Sequence, residues 1–261
     1  MVSELTSKQT FFGVSALLFI VCATVTIVWG VSMSAMGGMP MPGGWTMSMT
    51  WMTGPSWTSA AAAFLGMWVL MMVAMMMPSL VPMLLRYRQA VGTTDGTRLG
   101  WLTALAALGY FFVWSVFGMA IFPLGIALAT VEMQQPALAR AVPLVTGVVF
   151  LVAGGLQFTV WKARQLACCR EAPDCQRLMP ANAATAWRQG LHFGLHCSQC
   201  CFGLMIILLV MGVMDLRAMA VVAAAITVER LAPGGERIAR ITGVVAIEVG
   251  LFLIVQAMGI G

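Results

Sequence analysis

At 261 residues, 61% of them hydrophobic and only 9% charged, the chain cannot clothe a soluble domain, in which about 25% of residues are charged. No charged residue occurs between Lys8 and Arg86, so no water-facing surface can be built from that stretch. The net charge of +5 comes from basic residues set singly between apolar runs, a pattern that reports orientation in a membrane and gives no reason to expect a nucleic acid partner.

A membrane helix takes about 20 apolar residues, and the hydropathy pattern predicts seven spans. The first covers roughly residues 11–32. It also has features of a signal peptide, with one lysine, an apolar run and a small-residue SMSA tail, and its removal would leave the rest of the topology unchanged. A methionine-rich loop, 33–56, follows. Seven methionines lie between Met33 and Met52, and Met47, Met49 and Met52 fall in TMSMTWMTG, whose M-x-M spacing suits a soft cation. Thioethers bind Cu(I) without losing a proton and discriminate against Mg, Ca and Zn. The alternative for this loop is an apolar segment lying against the bilayer or a partner.

Span two, 57–84, contains MWVLMMVAMMMPSLVPM. Met67, Met71 and Met75, and separately Met72 and Met76, repeat at i, i+4, so they form either a thioether ladder or adaptable packing. Pro78 and Pro82 are expected to kink or end this helix. Spans three and four cover 100–129 and 142–161, with Gln157 placed to hydrogen-bond between helices.

An inner loop, 162–190, carries Cys168, Cys169 and Cys175, and span five, 192–214, opens with HCSQCC from His196 to Cys201. Six of the seven cysteines thus gather in two neighbouring segments, and such an odd, clustered set makes a poor disulfide framework and a better ligand set. On a helix His192, His196 and Cys200 are successive i, i+4 neighbours, and Cys197 pairs with Cys201. Cys197 with Cys200 or Cys201, completed by Cys168, Cys169 or Cys175, offers a site of two to four sulfurs for Cu(I), or for zinc, with His196 as a further ligand. Free cysteine is also a common small core residue, which is the plain alternative.

Span six, 216–230, is short for a full crossing; without it the count is six. Glu229 and Arg230 at its end can pair with each other. In span seven, 238–260, Glu248 puts a carboxyl near mid-membrane, which is costly and marks a polar intramembrane site by default. With the N-terminus cytoplasmic, 12 of the 14 Lys and Arg residues fall inside; only Arg140 and Arg217 fall outside. The expected fold is therefore an all-α, multi-pass helical bundle forming one integral membrane domain over 1–261. Long unalternating apolar runs exclude a barrel.

WVLMMVAMMMPSL, GYFFVW, QFTVWKARQLACCREAP, GLHCSQCCFGLM and GVMDLRAMAVVAAAITVERLAPGGERI together resemble a bacterial family of predicted metal-binding integral membrane proteins, some labelled copper chaperones. The most specific piece is C-x-x-C-C-x-x-L-M (Cys197, Cys200, Cys201, Leu204, Met205), joined to an upstream K-x-x-x-L-x-x-C-x-R (Lys162, Leu166, Cys169, Arg170). Gln199 stands where the family pattern has glycine. The resemblance implies metal binding in a helical membrane domain.

The sequence holds no phosphate-binding glycine loop ending in Lys-Ser or Lys-Thr, no H-E-x-x-H and no paired catalytic carboxylates, so it reads as a non-enzyme. The leading expectation is a copper-handling membrane protein that binds, delivers or transports Cu(I) between the outer methionines and the inner cysteines, with a metal-accepting apoprotein or a larger membrane complex as partner besides the lipid bilayer. The rivals are an accessory subunit of such a complex and a membrane thiol–disulfide oxidoreductase using Cys197 and Cys200.

Overall fold

The computed structural model describes residues 2–35, 37, 39–40, 46–47, 56–92, 95–170, 180–213 and 215–259. They form eight helices: α1 (Val2–Ala35), α2 (Trp57–Val91), α3 (Gly96–Gln134), α4 (Pro136–Leu156), α5 (Val160–Arg170), α6 (Ala183–Met211), α7 (Leu216–Leu231) and α8 (Gly235–Ala257). Two antiparallel two-residue strands, β1 (Met39–Pro40) and β2 (Thr46–Met47), lie between α1 and α2. Helices α1, α2, α3, α4, α6 and α8 are long and apolar enough to cross a membrane.

Local chemistry sets the ends. Ser56 caps α2 through a reciprocal box with Ser59. Asn182 accepts from the Thr185 amide at the start of α6, and Asp215 accepts from the Arg217 and Ala218 amides at the start of α7. Pro136 opens α4 at a position where its missing N–H costs nothing. Gly212, at φ 112, ends α6 in a conformation other residues avoid. Pro78 and Pro82 do not end α2, which runs on to Val91. The stretch 162–190, expected as a loop, contributes α5 and the first turns of α6.

Helix directions follow from residue pairings. Tyr110 and Val113 of α3 border Gly194, while Ala106 borders Gly190, so α3 and α6 run parallel. Ala153 of α4 borders Gly203, Lys162 of α5 reaches Cys200 and Cys169 reaches His196, so α4 and α5 run antiparallel to α6. A Cβ on Gly154 would lie 2.8 Å from the Gly243 carbonyl oxygen, and one on Gly250 2.8 Å from that of Gly147. The backbones of α4 and α8 therefore touch through glycines and run antiparallel, a packing in which small residues let helices approach closely. Consequently α6 and α8 point the same way, and α7 carries the chain back between them.

The core is centred on α2 and α6. Phe64, Trp68, Met71, Met72, Met76, Leu80, Tyr110, Cys197 and Leu208 are all sealed within it. The Trp68 indole donates to the Trp114 carbonyl at 2.8 Å, locking α2 to α3. Outward faces of α1, α4 and α8 expose Leu17, Ile20, Val145, Val152, Leu251 and Phe252, the surface expected against lipid.

Candidate metal centre

The sequence HCSQCC lies on the fourth turn of α6 and beyond. At about 100° per residue, Cys197, Cys200 and Cys201 share one arc of the helix, and all three are buried. His196 falls on the flank of that arc, beside Cys200, with His192 one turn below it. The cysteines face the bundle and the histidines face its edge.

Cys197 has the richest surroundings. Tyr110 on α3 donates its hydroxyl to the Cys197 sulfur at 2.9 Å, and Arg230 on α7 donates from Nη1 at 3.2 Å. Tyr110, Cys197 and Arg230 are all buried. The remaining Arg230 donors, Nε and Nη2, have no hydrogen-bond partner among the described residues. Two donors converging on one sulfur favour the thiolate, because a neutral thiol is a weak acceptor and a buried guanidinium needs an anion beside it.

A second charge pair lies alongside. Lys162 on α5 meets Glu229 on α7 at 2.8 Å, both buried, and also donates to the Cys200 carbonyl at 2.7 Å. Gln157, at the break between α4 and α5, donates to Glu229 at 3.3 Å. Two cations and one carboxylate thus share this interior, and the cation without a carboxylate is the one aimed at Cys197. The expected Glu229–Arg230 pair does not form: neighbours on a helix point about 100° apart, so Glu229 turns to Lys162 and Arg230 to Cys197.

Cys169 completes the cluster from α5. Lys162, Leu166 and Cys169 are spaced i, i+4, i+7 and form the buried face of that helix. The Cys169 thiol reaches the His196 carbonyl at 3.5 Å. A hydrogen bond from the Cys200 thiol, helped by the Arg230 charge and opposed by burial, lowers the Cys169 pKa from 9.0 to about 7. Cys201 donates to the Cys197 carbonyl one turn back at 2.9 Å. Cys201 thus lies one turn along α6 from Cys197, and Cys169 of α5 lies beside Cys200.

The other candidate residues lie elsewhere. Cys168, about 100° round α5 from Cys169, is exposed. His196 turns its ring away from the thiols, toward His192 and Gln165. Glu248 is exposed on α8, nearly opposite the glycines that meet α4, and does not line the interior. Cys175, Met49 and Met52 lie outside the described residues, and Met47 enters only as part of β2. In α2, Met67, Met71, Met72, Met75, Met76 and Met77 are all buried, in one continuous core with Cys197, Cys201 and Met205.

Among the described residues no three His, Cys, Asp or Glu side chains are disposed to hold one ion. A structural zinc site needs four ligands converging on a point, and this arrangement does not offer it. Two thiols at a time, beside a fixed positive charge, fit a soft monovalent ion that is satisfied by a pair of sulfurs.

Residues 65–253, from α2 into α8, match the family model described as PpoB2, copper chaperone. No curated protein and no solved structure matches the chain.

Proposed function

This chain belongs to that copper chaperone family, and from this premise we propose that it takes up Cu(I) from the outer side of a bacterial inner membrane and holds it on the buried thiols of α5 and α6 for delivery. Cys197 and Cys201 form one dithiol and Cys169 and Cys200 the other. Arg230 offsets the negative charge of a copper–dithiolate, and Tyr110 holds the Cys197 sulfur in place. The single observation that carries this reading is the Arg230 guanidinium, buried with Nη1 3.2 Å from the Cys197 sulfur: a buried cation directed at sulfur suits a ligand whose metal complex is anionic.

The α2 methionines supply the route. They bind copper without proton exchange and share the core with the thiols. Met47, Met49 and Met52 are the outer collection point in this scheme. The protein moves or presents the ion and transforms no substrate, and an apoprotein that lacks its copper is the recipient.

A seven-crossing topology with a cytoplasmic N-terminus goes with this function. The parallel directions of α6 and α8 support a return crossing by α7, and the bias of Lys and Arg supports the side. Counting from that end, the thiol cluster lies toward the cytoplasmic face.

The test is copper stoichiometry of the detergent-purified protein after anaerobic Cu(I) loading, with thiolate-to-copper absorption in the ultraviolet as the second readout. Wild type is expected to retain copper through gel filtration, and C197A/C201A to lose the share held by that dithiol. Full retention by a C169A/C197A/C200A/C201A variant overturns the thiol assignment.

A further inference from the structure

His192 and His196 stand one turn apart on the flank of α6, His192 exposed and His196 half-buried. Their rings meet edge to face at a centroid separation of 4.3 Å, and the two Nε2 atoms are 3.0 Å apart. Behind His196, Nδ1 lies 3.3 Å from the Gln165 Oε1 of α5. An amide oxygen only accepts, so Nδ1 carries the proton, and the Nε2 lone pair of His196 points at His192. Metal-binding imidazoles are built this way, with the far nitrogen anchored to an acceptor and the near one free.

The spacing matches an ion. Two nitrogens 3.0 Å apart, each bonded at about 2.0 Å, subtend roughly 97° at the metal. Histidines at i, i+4 on one helical face are a known chelating pair. Only the proton shared between the two Nε2 atoms has to leave, and His192 can carry its own proton on Nδ1. The site also abuts the thiols: the His196 carbonyl accepts from the Cys169 sulfur at 3.5 Å, and Cys197 is the next residue in the chain.

We propose that His192 and His196 form a second copper site at the edge of the bundle, distinct from the buried cysteines, through which the ion enters or leaves Cys169 and Cys200. The port function rests on the copper reading of the thiols given above; the bis-imidazole site does not. Imidazole is a harder, more exchangeable ligand for Cu(I) than thiolate, as a port requires, and two ligands leave positions open to an incoming donor.

The experiment delivers Cu(I) from its bicinchoninate complex to wild type, H192Q/H196Q and C197A/C201A in detergent. X-ray absorption at increasing loading reads nitrogen against sulfur neighbours, and stopped-flow ultraviolet absorption reads arrival at the thiols. In wild type, imidazole scattering is expected to appear once the sulfurs are loaded. The H192Q/H196Q variant is expected to lose that scattering, keep the final thiolate band and fill it at least tenfold more slowly. C197A/C201A is expected to keep the imidazole signal. Imidazole scattering that survives in H192Q/H196Q, or an unchanged filling rate there, overturns the proposal. A wild type with imidazole scattering and no thiolate band at any loading removes the thiol reading, and with it the port, while leaving the surface site standing.

Discussion

Along α2, seven methionines are buried among apolar neighbours, and the helix carries no charged residue before Arg86. Around Cys197 and Cys200, four thiols share their interior with Arg230, Lys162, Glu229 and Tyr110. The contrast follows from the two sulfur chemistries. A thioether is neutral with or without a metal, so it can be packed like leucine and needs no counter-charge. A thiolate is an anion, and burying it requires a cation and hydrogen-bond donors that are themselves paired. In the scheme proposed above, the methionine row passes an ion along and the thiol cluster keeps it.

The largest expected effect comes from unpairing the charges that surround the thiols. Glu229→Ala leaves Lys162 buried without its carboxylate and should cost about 3–5 kcal/mol, seen as a large fall in thermal unfolding temperature in detergent; K162M/E229L should recover most of it. An E229A protein as stable as wild type would mean that the pair is not sealed from water. Arg230→Met comes next. It removes the cation beside Cys197, and copper affinity measured by chelator competition should fall at least tenfold, equivalent to about 1.4 kcal/mol, while R230K recovers part of it. Tyr110→Phe removes one hydrogen bond and should cost about 0.5–1.5 kcal/mol, with a smaller loss of copper affinity.

The methionine side should respond in the opposite sense. Met71→Leu and Met75→Leu conserve volume and should each change stability by less than about 1.5 kcal/mol, yet slow copper uptake into protein reconstituted in vesicles. Uptake that is indifferent to both substitutions would reduce the α2 row to packing. The smallest effect is expected for Cys168→Ser: the side chain is exposed, so copper stoichiometry and melting should match wild type. A loss of copper there would show that the exposed thiol belongs to the site.

The long helices were legible because a bilayer imposes a run of apolar residues on any crossing, and 57–84, 100–129 and 238–260 register that directly. The cysteine cluster was legible as a composition anomaly. Its polar partners were not. Tyr110 meets Cys197 across 87 positions and Lys162 meets Glu229 across 67, and no local pattern encodes such pairings. In the sequence Lys162 and Arg230 count among the inside charges that set orientation, yet both are buried. One signal was present: K-x-x-x-L-x-x-C repeats at i, i+4, i+7, the buried stripe of a helix, and it contains both Lys162 and Cys169. The doublet Cys168–Cys169 could not put both sulfurs on one side, since adjacent residues diverge by about 100°.

The brevity of α7 has its own consequence. Its sixteen residues span about 24 Å, whereas the hydrocarbon layer is about 30 Å thick. In the seven-crossing topology proposed above, a return strut of that length would draw the two membrane surfaces together where it passes, and such mismatch costs fractions of a kcal/mol per ångström. Thin-bilayer lipids should therefore raise the thermal stability of the reconstituted protein above its value in long-chain lipids. In that topology the same dimple would bring water closer to Glu229 and Arg230 at the end of the strut, and under the copper scheme proposed above it would shorten the path between the buried sulfurs and the recipient.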